Sequence, residues 1–168
     1  MVSPRLCPNQ ETYDRCLTRL AEGRLTREEN PLSHFCTYFL PVNTKTKQVF
    51  IVHHKKSNLW LAPGGHLDLG ETPDQAVNRE IQEELGVPHF FKETPTPFLF
   101  SIVDIDRKEQ SCKCHNDLWY AMETDGSDFA IDPSEFYETR WVTIPEARLL
   151  VTDPSNLVAL ERVKTLMM

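Results

Sequence analysis

The chain has 168 residues, a formal net charge of −7, 40% hydrophobic residues and 26% charged ones. That length suits one domain with a small appendage and is enough to bury a core without staples. The composition excludes a disordered chain, a collagen-like fibre and a membrane bundle, and the acidic balance argues against charge-driven nucleic-acid binding. It leaves room for a polyanionic small molecule if a metal ion lies between.

No apolar run approaches the roughly 20 residues of a membrane helix, and the first residues lack the apolar stretch of a signal peptide. Five cysteines, at 7, 16, 36, 112 and 114, form no disulfide framework and read as reduced thiols of a cytoplasmic protein.

Residues 1–32 read as a helical extension. Tyr13, Cys16, Leu17 and Leu20 recur on one helix face, Gly23 ends it, and Thr26 with Glu29 resembles a capping box that Asn30-Pro31 cuts short. From residue 33 the texture changes. Strands are predicted over 34–42, 48–54 and 59–62, the last stopped by Pro63-Gly64-Gly65. Thr72, Pro73 and Gln75 form a helix start and Gly86-Pro88 a stop, so 73–85 is a helix. Strands follow over 98–105, 117–123 and 140–144. Asp153-Pro154 opens a last helix with a stripe at Leu157, Leu160, Val163, Lys164 and Leu166. The order implies an α/β protein with helices packed on a mixed sheet.

The helix over 73–85 carries the chemistry. Val77, Ile81 and Leu85 form an apolar stripe, and Glu80, Glu83 and Glu84 share an adjoining arc about 100° wide. Three carboxylates on neighbouring turns repel one another. A hard divalent cation would turn that repulsion into attraction; a solvated acidic face is the plain alternative.

The surrounding spacing separates the two. Residues 65–87 fit Gly-x5-Glu-x7-Arg-Glu-U-x-Glu-Glu-x-Gly-U, with U apolar, at Gly65, Glu71, Arg79, Glu80, Ile81, Glu83, Glu84, Gly86 and Val87. A chance match in a chain of this length is on the order of 1 in 10⁷. This pattern is the Nudix box, and the chain resembles a Nudix hydrolase over roughly residues 34–150; Trp60 to His66 is also similar to that family.

The resemblance implies an α/β/α sandwich around a mixed sheet and hydrolysis of a nucleoside diphosphate linked to another moiety, using Mg²⁺ or Mn²⁺. By position, Glu80, Glu83 and Glu84 should hold the metal, with the Gly65 carbonyl as a further ligand. Arg79 should pair with Glu71 and fix the loop on the helix. Attack at phosphorus needs alignment and charge stabilisation. The general base is open between Glu83 or Glu84 in the box and Glu135 or Glu138 in the later acidic loop.

Weaker signals surround the box. His53, His54, Lys55 and Lys56 could meet a distal phosphate or simply end a strand. Trp60 could stack on a base, and His66 could reach a phosphate. His115 and Asp117, on one face of a strand, could line the substrate cleft, with the polar stretch 106–116 over it. Cys112-x-Cys114-His115 suggests zinc, but no second pair completes a tetrahedral set at a usual spacing.

Two rival readings share the fold: a nucleotide-sensing module, which would lack the carboxylates, and an isoprenoid diphosphate isomerase, whose cysteine segment Cys36 does not match. An RNA decapping role has the charge against it, and the partner expected is a nucleotide-type small molecule. The resemblance also admits a homodimer.

Overall fold

The computed structural model describes residues 2–105 and 112–167. The described elements begin with a 3₁₀ turn at Pro4–Leu6 and helix α1 (Gln10–Glu22). Strands β1 (Ser33–Asn43), β2 (Gln48–His54), β3 (Leu59–Leu61) and β4 (Gly64–His66) lead into α2 (Pro73–Leu85). Then come β5 (Leu99–Asp104), β6 (Cys114–Glu123), β7 (Phe136–Thr143), α3 (Ile144–Leu150) and α4 (Pro154–Val163).

Among the described residues the strands form one mixed sheet in the order β3-β2-β1-β6-β5, with β4 added to β1 and β7 to β2. The β1–β6 pair is parallel and the other pairs are antiparallel. Alternation along the strands divides two cores. Phe35, Phe39, Phe100 and Tyr120 meet Ala76, Val77, Ile81 and Leu85 of α2 on one face. Leu40, Val49, Ile51 and Trp119 meet Ile144, Ala147, Leu160 and Val163 of α3 and α4 on the other. The result is the expected α/β/α sandwich.

The caps of α2 match their sequence signals. Gln75 Oε1 accepts from the Thr72 N–H at 2.9 Å, and Gly86 takes the left-handed conformation (φ 71°) that closes the helix. The signal at Asp153 acts alike, its side chain accepting from the Asn156 N–H, and Asn9, which the sequence reading did not single out, caps α1 by accepting from the Thr12 N–H.

The structure corrects several boundaries. β3 stops ahead of Pro63 as expected, but an unpredicted short strand, β4, follows at once beside Cys36–Tyr38; Gly64 adopts a φ of 142° there, where a Cβ would strike the Thr37 carbonyl. β6 starts at Cys114 rather than 117, since its full length pairs with β1. β7 starts at Phe136. Helix α3, absent from the prediction, has its own capping box, Thr143 with Glu146. On α1 the buried face is Tyr13, Cys16 and Arg19, while Leu17 and Leu20 are exposed. Arg19 displaces the leucines because its guanidinium collects the carbonyls of Gly23, Arg24 and Ser33 at 2.6–2.7 Å. On the last helix Lys164 and Leu166 are exposed, and Asn156 turns inward to accept from the Ala62 N–H at 2.7 Å.

Candidate active site

Helix α2 and the loop ahead of it bring the box residues together. Arg79 is the hub. Its Nε donates to Glu71 Oε1 at 2.8 Å and its Nη2 to Glu71 Oε2 at 3.0 Å, a two-pronged pair that ties the loop to the helix. The same guanidinium reaches Glu80 at 2.8 Å, Glu83 at 3.1 Å and the His66 carbonyl at 2.9 Å. These bonds hold the Glu71 carboxyl below its usual range.

The three helix carboxylates are not equivalent. Glu80 and Glu84 are buried, whereas Glu83 is exposed. Burial raises Glu80 to about 7 despite Arg79 beside it. Burial, reinforced by Glu80, raises Glu84 well above the carboxylate range. Glu84 accepts a backbone hydrogen bond from Gly64, yet its Oε2 is buried without a partner. Gly65 lies hard against this group: a Cβ there would sit 2.6 Å from the Glu80 carboxyl carbon and would collide with its Oε1. Two buried carboxylates, one with a bare oxygen, suit a hard divalent cation, because a cation supplies the charge and the partner that the protein withholds.

The later glutamates separate. Glu138 is held by Arg140 Nε at 2.5 Å and faces solvent. Glu135 lies 3.8 Å from His54 Nε2 and close enough to Glu84 to raise its pKa. Lys55 is turned away to the Pro133 carbonyl at 2.6 Å. Trp60 is half-buried, stacks on His53 at 5.2 Å and lies under the Arg140 guanidinium at 5.0 Å.

His66 and His115 do come together, joined by His34, a residue the sequence did not single out. The three ring centroids lie 4.7–5.2 Å apart. Asp117 lies on the same face of β6 as His115 but is only 1% exposed, so it supports this group from beneath rather than facing a cleft. Burial raises its carboxyl strongly, and it hydrogen-bonds the Cys36 thiol and Ser101. Strand register was the missing signal: β1 pairs His34 with His115 and Cys36 with both His66 and Asp117. Of the polar stretch 106–116, residues 106–111 lie outside the described residues.

Comparison with known proteins gives the family to which this fold and carboxylate cluster belong. A NUDIX domain profile matches residues 34–162, so the chain belongs to the Nudix family and is a Nudix hydrolase. An RNA pyrophosphohydrolase of Francisella tularensis is 29% identical over 110 residues, 59% of this chain and 71% of that one. The NAD-capped RNA hydrolase NudC of Escherichia coli is 30% identical over 90 residues, 51% of this chain and 30% of that one. A MutT protein from Methanosarcina mazei shares the fold with a TM-score of 0.63 at 18% identity, covering 80% of this chain and 94% of that one. Hydrolases of this family generally use divalent metals. Among the described residues no helix is long and apolar enough to cross a membrane.

Proposed function

We propose that the protein cleaves the pyrophosphate bond of a nucleoside diphosphate joined to a further group, with water attacking phosphorus. Glu80, Glu83 and Glu84, with the Gly65 carbonyl, would hold Mg²⁺ or Mn²⁺. The observation that carries this reading is the buried, unpartnered Oε2 of Glu84 beside the buried Glu80. The ion when bound would neutralise phosphate oxygens and lower the pKa of a water.

The chain's own residues do the rest. Arg79 is a positioning residue that locks Glu71, Glu80 and the loop carbonyl of His66 in one frame. Burial around Glu80 and Glu84 excludes bulk water, which strengthens every charge interaction there. The proton of the attacking water goes to a box carboxylate, Glu83 or Glu84, or to Glu135, which lies within the field of Glu84. Trp60 and the wall formed by His66 and His115 would face the substrate, with Asp117 supporting that wall from below.

This reading takes residues 33–168 as the hydrolase domain and 1–32 as a helical extension docked on it. The five free thiols fit a reducing, cytoplasmic setting.

The test is hydrolysis of a panel of nucleotide sugars, ADP-ribose, nucleoside triphosphates, dinucleoside polyphosphates and 5′-capped RNA with Mg²⁺, Mn²⁺ or EDTA, products being identified by mass. Metal-dependent release of a nucleoside monophosphate from one class is expected. The net charge of −7 favours small substrates over RNA. Nucleotide binding without turnover of any compound would replace the hydrolytic reading with that of a sensing module.

A further inference from the structure

On the sheet face that carries α4, three strands bring four metal-ligand side chains to one point. We propose that His34, Cys36, His66 and His115 form a second metal site, separate from the glutamates, that takes a borderline divalent ion such as Zn²⁺. One ligand atom of each residue lies within 4.8 Å of those of the other three. The edges of a tetrahedral zinc site with these ligands are about 3.3–3.8 Å, so side-chain rotation by about 1 Å closes the set.

Three further observations point to a ligand. His34 is 0% exposed and its Nδ1 lies 3.2 Å from the Asn30 carbonyl, so Nδ1–H donates there and the lone pair falls on Nε2. A backbone carbonyl is the partner that orients a metal-binding imidazole. That Nε2 has no partner, and neither does the buried Nε2 of His115. Finally, the Cys36 thiol hydrogen-bonds the Asp117 carboxyl. When an ion binds, the S–H proton leaves for Asp117 or for water as the sulfur–metal bond forms.

The donor set names the ion class. Three imidazoles and one thiolate suit Zn²⁺ or Co²⁺ and do not suit Mg²⁺, which prefers oxygen. Four protein ligands make a closed, structural site. It would clip β4 to β1 and β6 immediately after Gly65, fixing the His66 carbonyl to which Arg79 donates. The Arg27 guanidinium, 3.4 Å from His66 Nδ1, must yield when that ring ligates.

The experiment is titration of the EDTA-treated, dialysed full chain with Co²⁺, followed by absorption. One tightly bound Co²⁺ per chain is expected, with thiolate-to-cobalt charge transfer in the near ultraviolet and the strong visible bands of a tetrahedral ion. Excess Zn²⁺ should erase both. Cys36→Ser should lose the charge-transfer band, and His34→Gln or His115→Gln should weaken binding at least about tenfold, one ligand being worth more than 1.4 kcal/mol. The double variant Cys112→Ser/Cys114→Ser and the variant Glu84→Gln should keep the full spectrum. Near-ultraviolet circular dichroism reports whether each variant folds. If Cys36→Ser does not fold, the two histidine variants decide. The proposal is overturned by a folded wild-type chain with no charge-transfer band. A band that survives Cys36→Ser, or that vanishes with Cys112 and Cys114 or with Glu84 instead, also overturns it.

Discussion

Replacing Glu80 with glutamine should make the metal-free protein more stable. The Glu80 side chain is 11% exposed, and its carboxyl is raised from 4.5 to about 7, chiefly by burial. An acid whose pKa rises on folding is penalised where it is ionised. Its stability is intact below about 4.5, falls as pH rises to about 7, and stays low above that. At about 1.36 kcal/mol per pH unit the full penalty is about 3 kcal/mol, and at pH 5 only about 1 kcal/mol of it is felt. Glutamine removes the charge and keeps a carbonyl oxygen for Arg79. In EDTA at pH 8, Glu80→Gln should therefore gain about 3 kcal/mol, or roughly 6–12 °C in Tm for a domain of this size. At pH 5 the gain should shrink to about a third of that. Adding Mg²⁺ should raise the wild-type Tm by mass action and leave the variant nearly unmoved. Thermal melts at the two pH values, with EDTA or Mg²⁺, provide the assay. A variant less stable than wild type at pH 8, or a gain that does not depend on pH, would refute the idea that burial of this charge strains the apo fold.

Glu84→Gln and Glu83→Gln should each lower kcat by about 100-fold or more, through loss of a charged ligand, in a folded protein; near wild-type turnover in both would contradict the metal-site reading. Arg79→Ala should cost about 3 kcal/mol by leaving Glu80 and Glu71 without their cation, and Arg79→Lys should restore charge but not the two-pronged bond, so that urea melts recover more than kcat does. Gly65→Ala should cost about 1–3 kcal/mol from overpacking and a larger share of kcat, because the new methyl must push Glu80 aside; a crystal structure of the variant with Glu80 unmoved would contradict it.

The sequence was informative where local rules decide. The caps of α2, the turn at Gly86 and the stripe of Val77, Ile81 and Leu85 follow from contacts within a few residues. So does the grouping of Glu80, Glu83 and Glu84 on one arc. It was uninformative where strand register decides. Nothing in the order His34, Cys36, His66, His115 says that they meet, because the parallel pairing of β1 with β6 joins residues 81 apart. Burial was equally hidden. Helical spacing treats Glu83 and Glu84 alike, but packing covers Glu84 and leaves Glu83 in water. Arg19 misleads for a related reason, since a long cation reads as surface until three carbonyls converge on it.

The two cores explain why such an expensive site persists. Glu80 and Glu84 lie on the same helix as Ala76, Val77, Ile81 and Leu85, all of which are 0% exposed. Burying Val77, Ile81 and Leu85 between α2 and the sheet contributes about 1.5–3 kcal/mol each, together more than the cost of the strained Glu80 carboxylate. The helix therefore stays docked with Glu80 and Glu84 desolvated, Glu80 paired with Arg79 and one oxygen of Glu84 without a partner. Its charge deficit becomes a standing preference for a cation, so the packing that lowers apo stability at Glu80 and Glu84 also pre-organises them for binding. On this argument, core substitutions under α2 should impair metal-linked stabilisation before they unfold the chain. Leu85→Ala, at about 2–5 kcal/mol, is the one to measure first. A variant that is destabilised yet gains as much from Mg²⁺ as wild type would separate the two effects and overturn the link.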